Sequence, residues 1–185
     1  MNTDLRVLKT KKSIYSALVE LMKEKSFEEI KVSDICTKAL INRSTFYSHY
    51  KDKYELLASW INDLKDNLQN ELSLNNKISS IKEYYIGMIS IFLNYIDIKK
   101  EVYLSIMINN RSSIMMDIIY DTFDNDVNNF MDKFGKTTNN IPNKIITKFY
   151  LGAVFNVGIE WLKNPKVYTK ENIIEYLNKL IPDNI

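Results

Sequence analysis

The chain has 185 residues, of which 45% are hydrophobic and 26% charged, and its formal net charge is +2. This length and composition suffice for one compact domain plus a small one, with a real hydrophobic core. Cys36 is the only cysteine, which excludes an intrachain disulfide and suits the cytosol. The first residues lack the charged-then-apolar run of a signal peptide, and no run of about eighteen uncharged apolar residues occurs. We therefore expect a cytoplasmic protein with no membrane segment.

Helix-breaking residues are scarce in the sequence. Only four Gly and three Pro occur, and the first of them is Gly87, so nothing interrupts long helices in the first half of the chain. No alternation of apolar and polar residues bounded by turns indicates a strand. The sequence therefore predicts an all-α fold.

The N-terminal part begins with two predicted helices. The first ends near residues 25–27 and has an apolar stripe at helical spacing. The members of this stripe are Ile14, Ala17, Leu18, Leu21 and Met22. A second short helix is expected from about Val32 to Ala39, with Ile35 turned inward. Cys36 lies on this helix and is interpreted as a small core residue.

A third predicted helix lies within residues 42–53, after a short turn. Asn42 is a suitable N-cap for it, and Asp52 with Glu55 forms a predicted capping box for the helix that follows. That fourth helix is expected from residue 53 to about residue 72. Helix, short turn and helix, with a supporting helix on each side, is the helix-turn-helix arrangement.

The third helix has two chemically different faces. A rotation of about 100° per residue places Phe46 and Tyr50 on the packing face. The opposite face and its flanks carry hydroxyls, an aromatic ring, a cation and the only histidine. These residues are Arg43, Ser44, Thr45, Tyr47, Ser48 and His49. Such a face fits the major groove of DNA, but a surface helix with a structural histidine gives the same pattern, so the face alone leaves both interpretations open.

Charge is distributed unevenly along the chain. Residues 1–53 carry 11 Lys and Arg against 7 Asp and Glu, a balance of +4, whereas residues 54–185 carry 14 against 16, a balance of −2. A polyanion-binding module attached to a neutral body gives this asymmetry, and so does a solvated lysine-rich face. We expect two domains, a basic one at residues 1–53 that carries the third helix and a nearly neutral helical one at residues 54–185.

Residues from about 8 to 57 resemble the DNA-binding domain of the tetracycline-repressor (TetR) family. The resemblance rests on segments 30–36 and 39–53, which contain the core Thr-Phe-Tyr-x-His-Tyr-x-x-Lys. It implies an all-helical homodimer of about nine helices that binds a palindromic operator in double-stranded DNA. It also implies that a small molecule releases the protein from this operator.

Carried over to this chain, the resemblance implies two sets of DNA contacts. Contacts to base edges fall on Arg43, Ser44, Thr45 and Ser48, and contacts to phosphates fall on Tyr47, His49 and Lys53. The chain departs from the family where Lys31 replaces a frequent capping Thr and Leu40 replaces a frequent Gly. Lys31 is able to reach a phosphate instead of capping. Leu40 either adopts a left-handed conformation at a cost of roughly 1 kcal/mol or belongs to a turn built differently.

The middle of the chain is rich in Tyr, Phe and Met. Most of these residues are expected in an ordinary helical core. A pocket between bundled helices also needs apolar walls with a few polar tips, which these residue types supply. We expect a small apolar or aromatic effector to bind among them. The candidate pocket residues are Tyr84, Met88, Phe92, Tyr103, Met107, Tyr120 and Phe123.

Two apolar helices are predicted at the end of the chain. One runs from Ile145 to Lys163 and ends before Asn164-Pro165, and Thr169 caps the second. They are similar to the closing helices of many TetR-type regulators, in which these helices form the dimer interface. A core within one chain is the alternative. The candidate interface residues are Phe149, Ala153, Val157, Trp161, Ile173 and Leu177.

Three classes of function remain to be compared. One His and one Cys cannot form a metal cluster of these residues, and no Gly-rich phosphate loop or nucleophile elbow occurs, so we expect neither an enzyme nor a cofactor. A TetR-type repressor with a small-molecule effector is the preferred hypothesis. A regulator or activator that lacks such a ligand and responds to a protein partner through its middle domain is the alternative.

Overall fold

The computed structural model describes residues 5–75, 80–98, 100–110, 113–134 and 141–182. Within these ranges the chain forms nine α-helices, one short 3₁₀ helix and no strand, which confirms the all-α prediction. The helices are α1 Leu5–Glu24, α2 Val32–Ala39, α3 Arg43–Tyr47, α4 Lys53–Asn75, α5 Ile81–Ile98, α6 Lys100–Asn109, α7 Ser113–Phe134, α8 Asn143–Lys163 and α9 Lys170–Leu180. The 3₁₀ helix Phe27–Glu29 lies between α1 and α2.

The first three helices form what we call the N-terminal unit, α1–α3, and the other six form the body, α4–α9. The predicted stripe of α1 is buried, as are Ile35, Cys36 and Ala39 of α2. Phe46 of α3 is fully buried against the same core. Apolar spacing therefore located the first two helices and their inward faces correctly, because burial of one face is what stabilises an amphipathic helix.

The body is a layered bundle around two further apolar clusters. Helix α4 packs against α5 and α7, and α8 packs against α6, α7 and α9. Helix α1 packs against α6, so the N-terminal unit and the body share a contact surface. Thr169 caps α9 by accepting a hydrogen bond from the backbone N–H of Asn172 at 3.2 Å, which confirms the predicted cap.

Two predicted caps differ from the structure. Asn42 occupies the N-cap position of α3 in an extended conformation, but its side chain makes no capping hydrogen bond. Asp52 caps α4 by accepting hydrogen bonds from the N–H groups of Tyr54 and Glu55, both at 2.8 Å. The Glu55 carboxylate accepts from the N–H of Lys51 and not from that of Asp52, so no capping box forms. Side-chain rotamers decide between these partners, and sequence spacing does not fix them.

Candidate nucleic-acid interface and internal cavity

The turn between α2 and α3 is built around Leu40. This residue has φ 55° and ψ 44°, the left-handed conformation. The N–H of Ile41 donates to the carbonyl of Cys36 at 3.0 Å, and the N–H of Leu40 donates to that of Thr37 at 3.3 Å. This pair of bonds is the Schellman motif, which closes a helix most easily with glycine. The chain therefore keeps the tight turn and tolerates the strain of a Cβ in it.

Helix α3 presents the polar face that the sequence predicts. Phe46 and Tyr50 point inward, with 0% and 6% of their surfaces exposed. Tyr47 is exposed, and its ring meets that of Phe46 edge to face at 5.5 Å, which supports its orientation. The regular helix ends at Tyr47, and residues 48–50 continue as a helical turn through backbone bonds to Ser44 and Phe46.

The candidate DNA contacts differ in their exposure. Lys31, Arg43, Ser44, Tyr47 and Ser48 are exposed, whereas Thr45 and His49 are half-buried. All seven lie on α3, on the turn that follows it or at the start of α2. We call these seven candidate residues together the polar face.

The start of α2 is held by Asp34. Its carboxylate accepts a hydrogen bond from the backbone N–H of Lys31 at 3.1 Å and pairs with the Lys25 ammonium at 2.6 Å. These two contacts, the one to Lys25 first, lower the pKa of the Asp34 carboxyl. Because Asp34 satisfies this helix end, the exposed Lys31 side chain is not needed as a cap.

Lys53 is placed differently from the other candidates. Its ammonium donates three hydrogen bonds, to the carbonyl oxygens of Phe27 at 2.9 Å, Glu28 at 2.8 Å and Ile30 at 2.8 Å. The same ammonium lies 4.9 Å from the centre of the Phe27 ring, and burial lowers its pKa. An ammonium has three donors, and all three are used within the chain. Lys53 thus ties α4 to the 3₁₀ helix, and in this conformation it offers no donor to a phosphate.

The body contains a cavity of about 160 Å³ between α4, α5, α6, α7 and α8. Six of the seven predicted pocket residues line it: Tyr84, Met88, Phe92, Tyr103, Met107 and Phe123. Tyr120 is not among the residues that line the cavity. The ring of Tyr120 faces α8 and lies 5.2 Å from the Lys148 ammonium.

Sequence reasoning missed the contributions of α4 and α8 to this cavity. The missed wall residues include Trp60, Ile61, Leu64, Lys65, Leu68, Tyr85, Tyr150 and Phe155. Ile61, Leu64 and Leu68 recur at helical spacing along α4. A stripe at helical spacing looks the same whether it faces a packed core or a cavity, so no signal in the sequence separates the two.

Two neighbouring tyrosines in the cavity wall have different surroundings. The Tyr84 hydroxyl accepts a hydrogen bond from the side-chain amide of Gln69 at 2.9 Å. The buried Tyr85 hydroxyl has no hydrogen-bond partner among the described residues. Burial and the nearby groups Tyr84, Tyr150 and Asp124 raise the pKa of Tyr85, so its hydroxyl stays a protonated donor at neutral pH.

A buried asparagine joins the cavity helix α6 to the N-terminal unit. The Asn110 side-chain amide donates to the carbonyls of Met22 at 3.1 Å and Ile106 at 2.9 Å, and its oxygen accepts from the N–H of Phe27 at 2.6 Å. Asn109 adds a bond from its amide to the carbonyl of Lys23 at 2.8 Å. The end of α6 is therefore fixed to the end of α1 and to the start of the 3₁₀ helix.

The predicted dimer residues divide into two groups. Trp161, Ile173 and Leu177 are buried within the chain, with 1%, 4% and 3% of their surfaces exposed. They form the core between α5, α8 and α9, which is the alternative that the sequence left open for these helices. Phe149 is 68% exposed, and Ala153 on the next turn is also exposed.

Val157 is half-buried and packs against the same inner core. A four-residue spacing drifts about 40° per step around a helix, so the series from Phe149 to Trp161 passes from solvent to core. Ile141 and Ile145 extend the exposed apolar residues near the start of α8.

By length and composition alone, α8 is also long and apolar enough to cross a membrane, although it carries Lys148 and Glu160 and packs against three other helices.

Comparison with known proteins gives two family matches in different parts of the chain. Residues 14–59 match the family described as bacterial regulatory proteins, tetR family. Residues 82–183, which are more than half of the chain, match the family described as transcriptional regulator C-terminal region. Among the described residues, no group of three or more His, Cys, Asp or Glu side chains is arranged to hold a metal.

One relative is the HTH-type dhaKLM operon transcriptional activator DhaS of Lactococcus lactis, to which the chain is 30% identical over 105 residues. These 105 residues are 56% of this chain and 51% of DhaS. The chain spans at most about half the length of the curated relatives that it matches.

Solved structures share the fold over nearly the whole chain. Lin0861 from Listeria innocua superimposes with a TM-score of 0.69 and 19% identity, over 97% of this chain and 93% of that one. The regulator FadR from Bacillus subtilis, in complex with stearoyl-CoA, gives a TM-score of 0.61 and 16% identity, over 94% and 98%. With these folds and both family matches, the chain belongs to the TetR family of transcriptional regulators, which are DNA-binding proteins and not enzymes.

Proposed function

We propose that this protein is a repressor that binds a palindromic operator as a homodimer and leaves it when a small molecule occupies the cavity in the body. The observation that carries this proposal is the pairing of an exposed polar face on α3 with an internal apolar cavity, joined by two helices. In the polar face, Arg43, Ser44, Thr45 and Ser48 contact base edges, and Tyr47 and His49 contact phosphates. Lys31 adds a phosphate contact in place of Lys53.

Two helices are positioned to carry a change in the cavity to the polar face. Helix α4 begins at Lys53, which is bonded to the 3₁₀ helix, and reaches the cavity at Trp60, about 10 Å along its axis. Helix α6 lines the cavity with Ile106 and ends at Asn109, and the next residue, Asn110, is bonded to Met22 of α1. A ligand that shifts either helix changes the separation of the two polar faces in a dimer. A coupling of about 1 to 3 kcal/mol is typical of such regulators.

The homodimer is supported by the exposed apolar residues of α8. A short recognition helix reads too few bases alone, and a symmetric dimer places two such helices about 34 to 36 Å apart on one side of the DNA. Phe149 and Ala153 lie on this surface together with Ile141 and Ile145. Burial of these apolar side chains against a second copy removes them from water, which stabilises an association.

The DNA-binding proposal is tested by selecting duplexes from a random pool and measuring their affinity by fluorescence anisotropy. Arg43→Ala should weaken binding of the selected sequence by about tenfold or more, since a good base contact contributes about 1 to 3 kcal/mol of discrimination. Lys166→Ala removes the same charge from an exposed position between α8 and α9 and should leave affinity unchanged. Selection of no sequence above non-specific binding contradicts the proposal.

The dimer proposal is tested by sedimentation of the variant Phe149→Glu. A buried charge at this position should convert the protein to a monomer at micromolar concentration and should reduce operator affinity. Lys166→Glu changes an exposed residue away from this surface and should leave the dimer intact. A wild-type protein that sediments only as a monomer contradicts the proposal.

A second candidate function is an activator controlled by a protein partner through the body. The named relative DhaS is a transcriptional activator, and its alignment with this chain extends beyond the DNA-binding residues. A reporter gene placed behind the selected operator separates the two candidates. Deletion of the regulator raises expression if the protein is a repressor and lowers it if the protein is an activator. Copurification of a stoichiometric protein partner would favour the activator.

A further inference from the structure

A group of polar side chains lies where α1 and the turn after α3 meet α4. The Tyr15 hydroxyl lies 2.8 Å from the hydroxyl of Ser59 and donates to the carboxylate of Asp63 at 3.0 Å. The Lys11 ammonium pairs with the same carboxylate at 2.8 Å. The rings of Tyr15 and Tyr50 stack with their centres 6.4 Å apart. We call these five residues the tyrosine cluster.

Tyr50 connects the tyrosine cluster to the polar face. It belongs to the turn after α3, where its backbone N–H donates to the carbonyl of Phe46 at 3.0 Å, and only 6% of its surface is exposed. Its ring also packs against that of Phe46, with the centres 5.9 Å apart. Because these contacts join Tyr50 to the short helix, a shift of Tyr50 relative to α4 turns α3 with it.

The two α4 members of the cluster lie on the side of α4 opposite to the cavity. A rotation of about 100° per residue places Ser59 and Asp63 within about 40° of each other. Ile61 and Leu68, which line the cavity, then lie about 160° to 180° from the middle of that pair. Lys53 holds the start of α4 to the 3₁₀ helix, and the cluster holds α4 again about 9 Å further along. Two attachments along one helix fix its direction, which a single attachment does not.

We propose that Tyr15 is a positioning residue for operator binding, which fixes the angle between α3 and α4 through the tyrosine cluster and thereby the distance between the two polar faces of a dimer. This inference rests on the proposed function, because it requires a homodimer on a palindrome. Burial raises the pKa of the Tyr15 hydroxyl to about 12, so at neutral pH it remains a donor to Asp63. Loss of this hydroxyl leaves the ring stacked on Tyr50 but removes the bonds of that ring pair to α4.

The test compares the duplex that the wild-type protein selects with two derivatives, in which one base pair is inserted or removed at the centre of the palindrome. One base pair moves the half-sites by about 3.4 Å and turns them by about 35°. The wild type should prefer the selected spacing by about tenfold or more in fluorescence anisotropy. Tyr15→Phe should bind the selected duplex about tenfold more weakly, since a bond to a charged group is lost. Its preference among the three spacings should fall below about threefold.

Tyr54→Phe is the matched control. Tyr54 also lies on α4, but its ring meets that of Phe27 edge to face at 5.5 Å, outside the cluster. This variant should keep both the affinity and the spacing preference. Asp63→Ala removes the acceptor of the Tyr15 hydroxyl and should reproduce the loss of preference, and the double variant should lose no more than either single one. The spacing preference is a ratio measured on one preparation, so partial unfolding does not change it.

A Tyr15→Phe variant that binds all three duplexes more weakly by the same factor would overturn the inference, because a residue that sets a distance must change the preference for it. Equal affinity of the wild type for the three spacings overturns it too, as does an equal loss of preference in the Tyr54 control. If the wild type prefers one spacing and Tyr15→Phe keeps that preference, this inference fails and the proposed function stands. If the wild type selects no palindrome, both fail.

Discussion

The junction between the N-terminal unit and the body differs from the cavity inside the body in how its polar groups are satisfied. Around the N-terminal unit, Lys53 uses all three donors and Asn110 uses both ends of its amide. In the body, the Tyr85 hydroxyl is buried beside a cavity and has no partner among the described residues. Phe149 of the body is an exposed ring on an apolar surface.

This difference indicates what each part is built to do. A polar group with every bond satisfied fixes one geometry, which a surface that reads DNA requires. Side chains that line a cavity or lie exposed lack packing partners, and a ligand or a second copy that covers them adds stability. Under the proposed function, we therefore expect the junction to keep one geometry, and the cavity and the exposed face of α8 to gain stability from partners.

The largest expected effect is a loss of stability on disruption of the packed core of the body. Trp161 is 1% exposed in the core between α5, α8 and α9, and the Lys100 ammonium lies 5.2 Å from its ring. Trp161→Ala should lower the free energy of unfolding by about 4 kcal/mol through loss of packing and creation of a void. Urea denaturation monitored by circular dichroism measures this loss. Phe149→Ala on a protein diluted to monomer is the control and should cost less than about 1 kcal/mol.

Removal of Asn110 tests the rigidity of the junction between the two parts. Asn110→Leu keeps the approximate shape but leaves the Phe27 N–H and the Met22 carbonyl buried without their partner. The free energy of unfolding should fall by about 3 kcal/mol, since each stranded group costs about 1 to 3 kcal/mol. Asn109→Leu, which removes one bond at a less buried site, should cost about 1 kcal/mol. Equal losses in the two variants would show that Asn110 has no special role.

Matched substitutions of Lys53 and Lys31 test which of the two lysines contacts a phosphate. Lys53→Met should lower the free energy of unfolding by about 2 kcal/mol, because three charge-assisted bonds to carbonyls are lost. The slope of log affinity against log salt should stay the same in this variant. Lys31→Met at an exposed site should leave stability unchanged and reduce that slope by about 1. A reduced salt slope for Lys53→Met would instead support the phosphate contact that the family resemblance implies for Lys53.

The smallest expected effect is a gain in stability within the N-terminal unit. Leu40 has a positive φ and is 92% exposed, so its side chain adds strain and little packing. Leu40→Gly should raise the free energy of unfolding by about 1 kcal/mol, because glycine adopts the left-handed conformation without that strain. Leu40→Ala keeps the Cβ and should change stability by less than about 0.5 kcal/mol. Thermal melting of the three proteins checks the order.

Features that depend on spacing within one helix were predicted from the sequence, whereas contacts between distant segments of the chain were not. The helices around residues 14–22 and 32–39 were predicted with their inward faces, because amphipathic spacing is local to one helix. Six of the seven predicted pocket residues line the cavity, since Tyr, Phe and Met are concentrated in α5, α6 and α7, which form part of its wall. The neighbours of Tyr120 and Trp161 were not predicted, because an apolar residue gives the same signal toward a cavity, a core or a second copy.

The sequence by itself determined the all-α class, the family and the residues of the polar face, because these depend on composition, local periodicity and one long motif. Only the tertiary structure decided that Lys53 bonds to three carbonyls 23 to 26 residues away, that Trp161 belongs to the core, and that Tyr85 rather than Tyr84 lacks a partner. Each of these depends on groups brought together from distant parts of the chain. Hydrogen-bond satisfaction is a property of that assembled environment, and no local pattern encodes it.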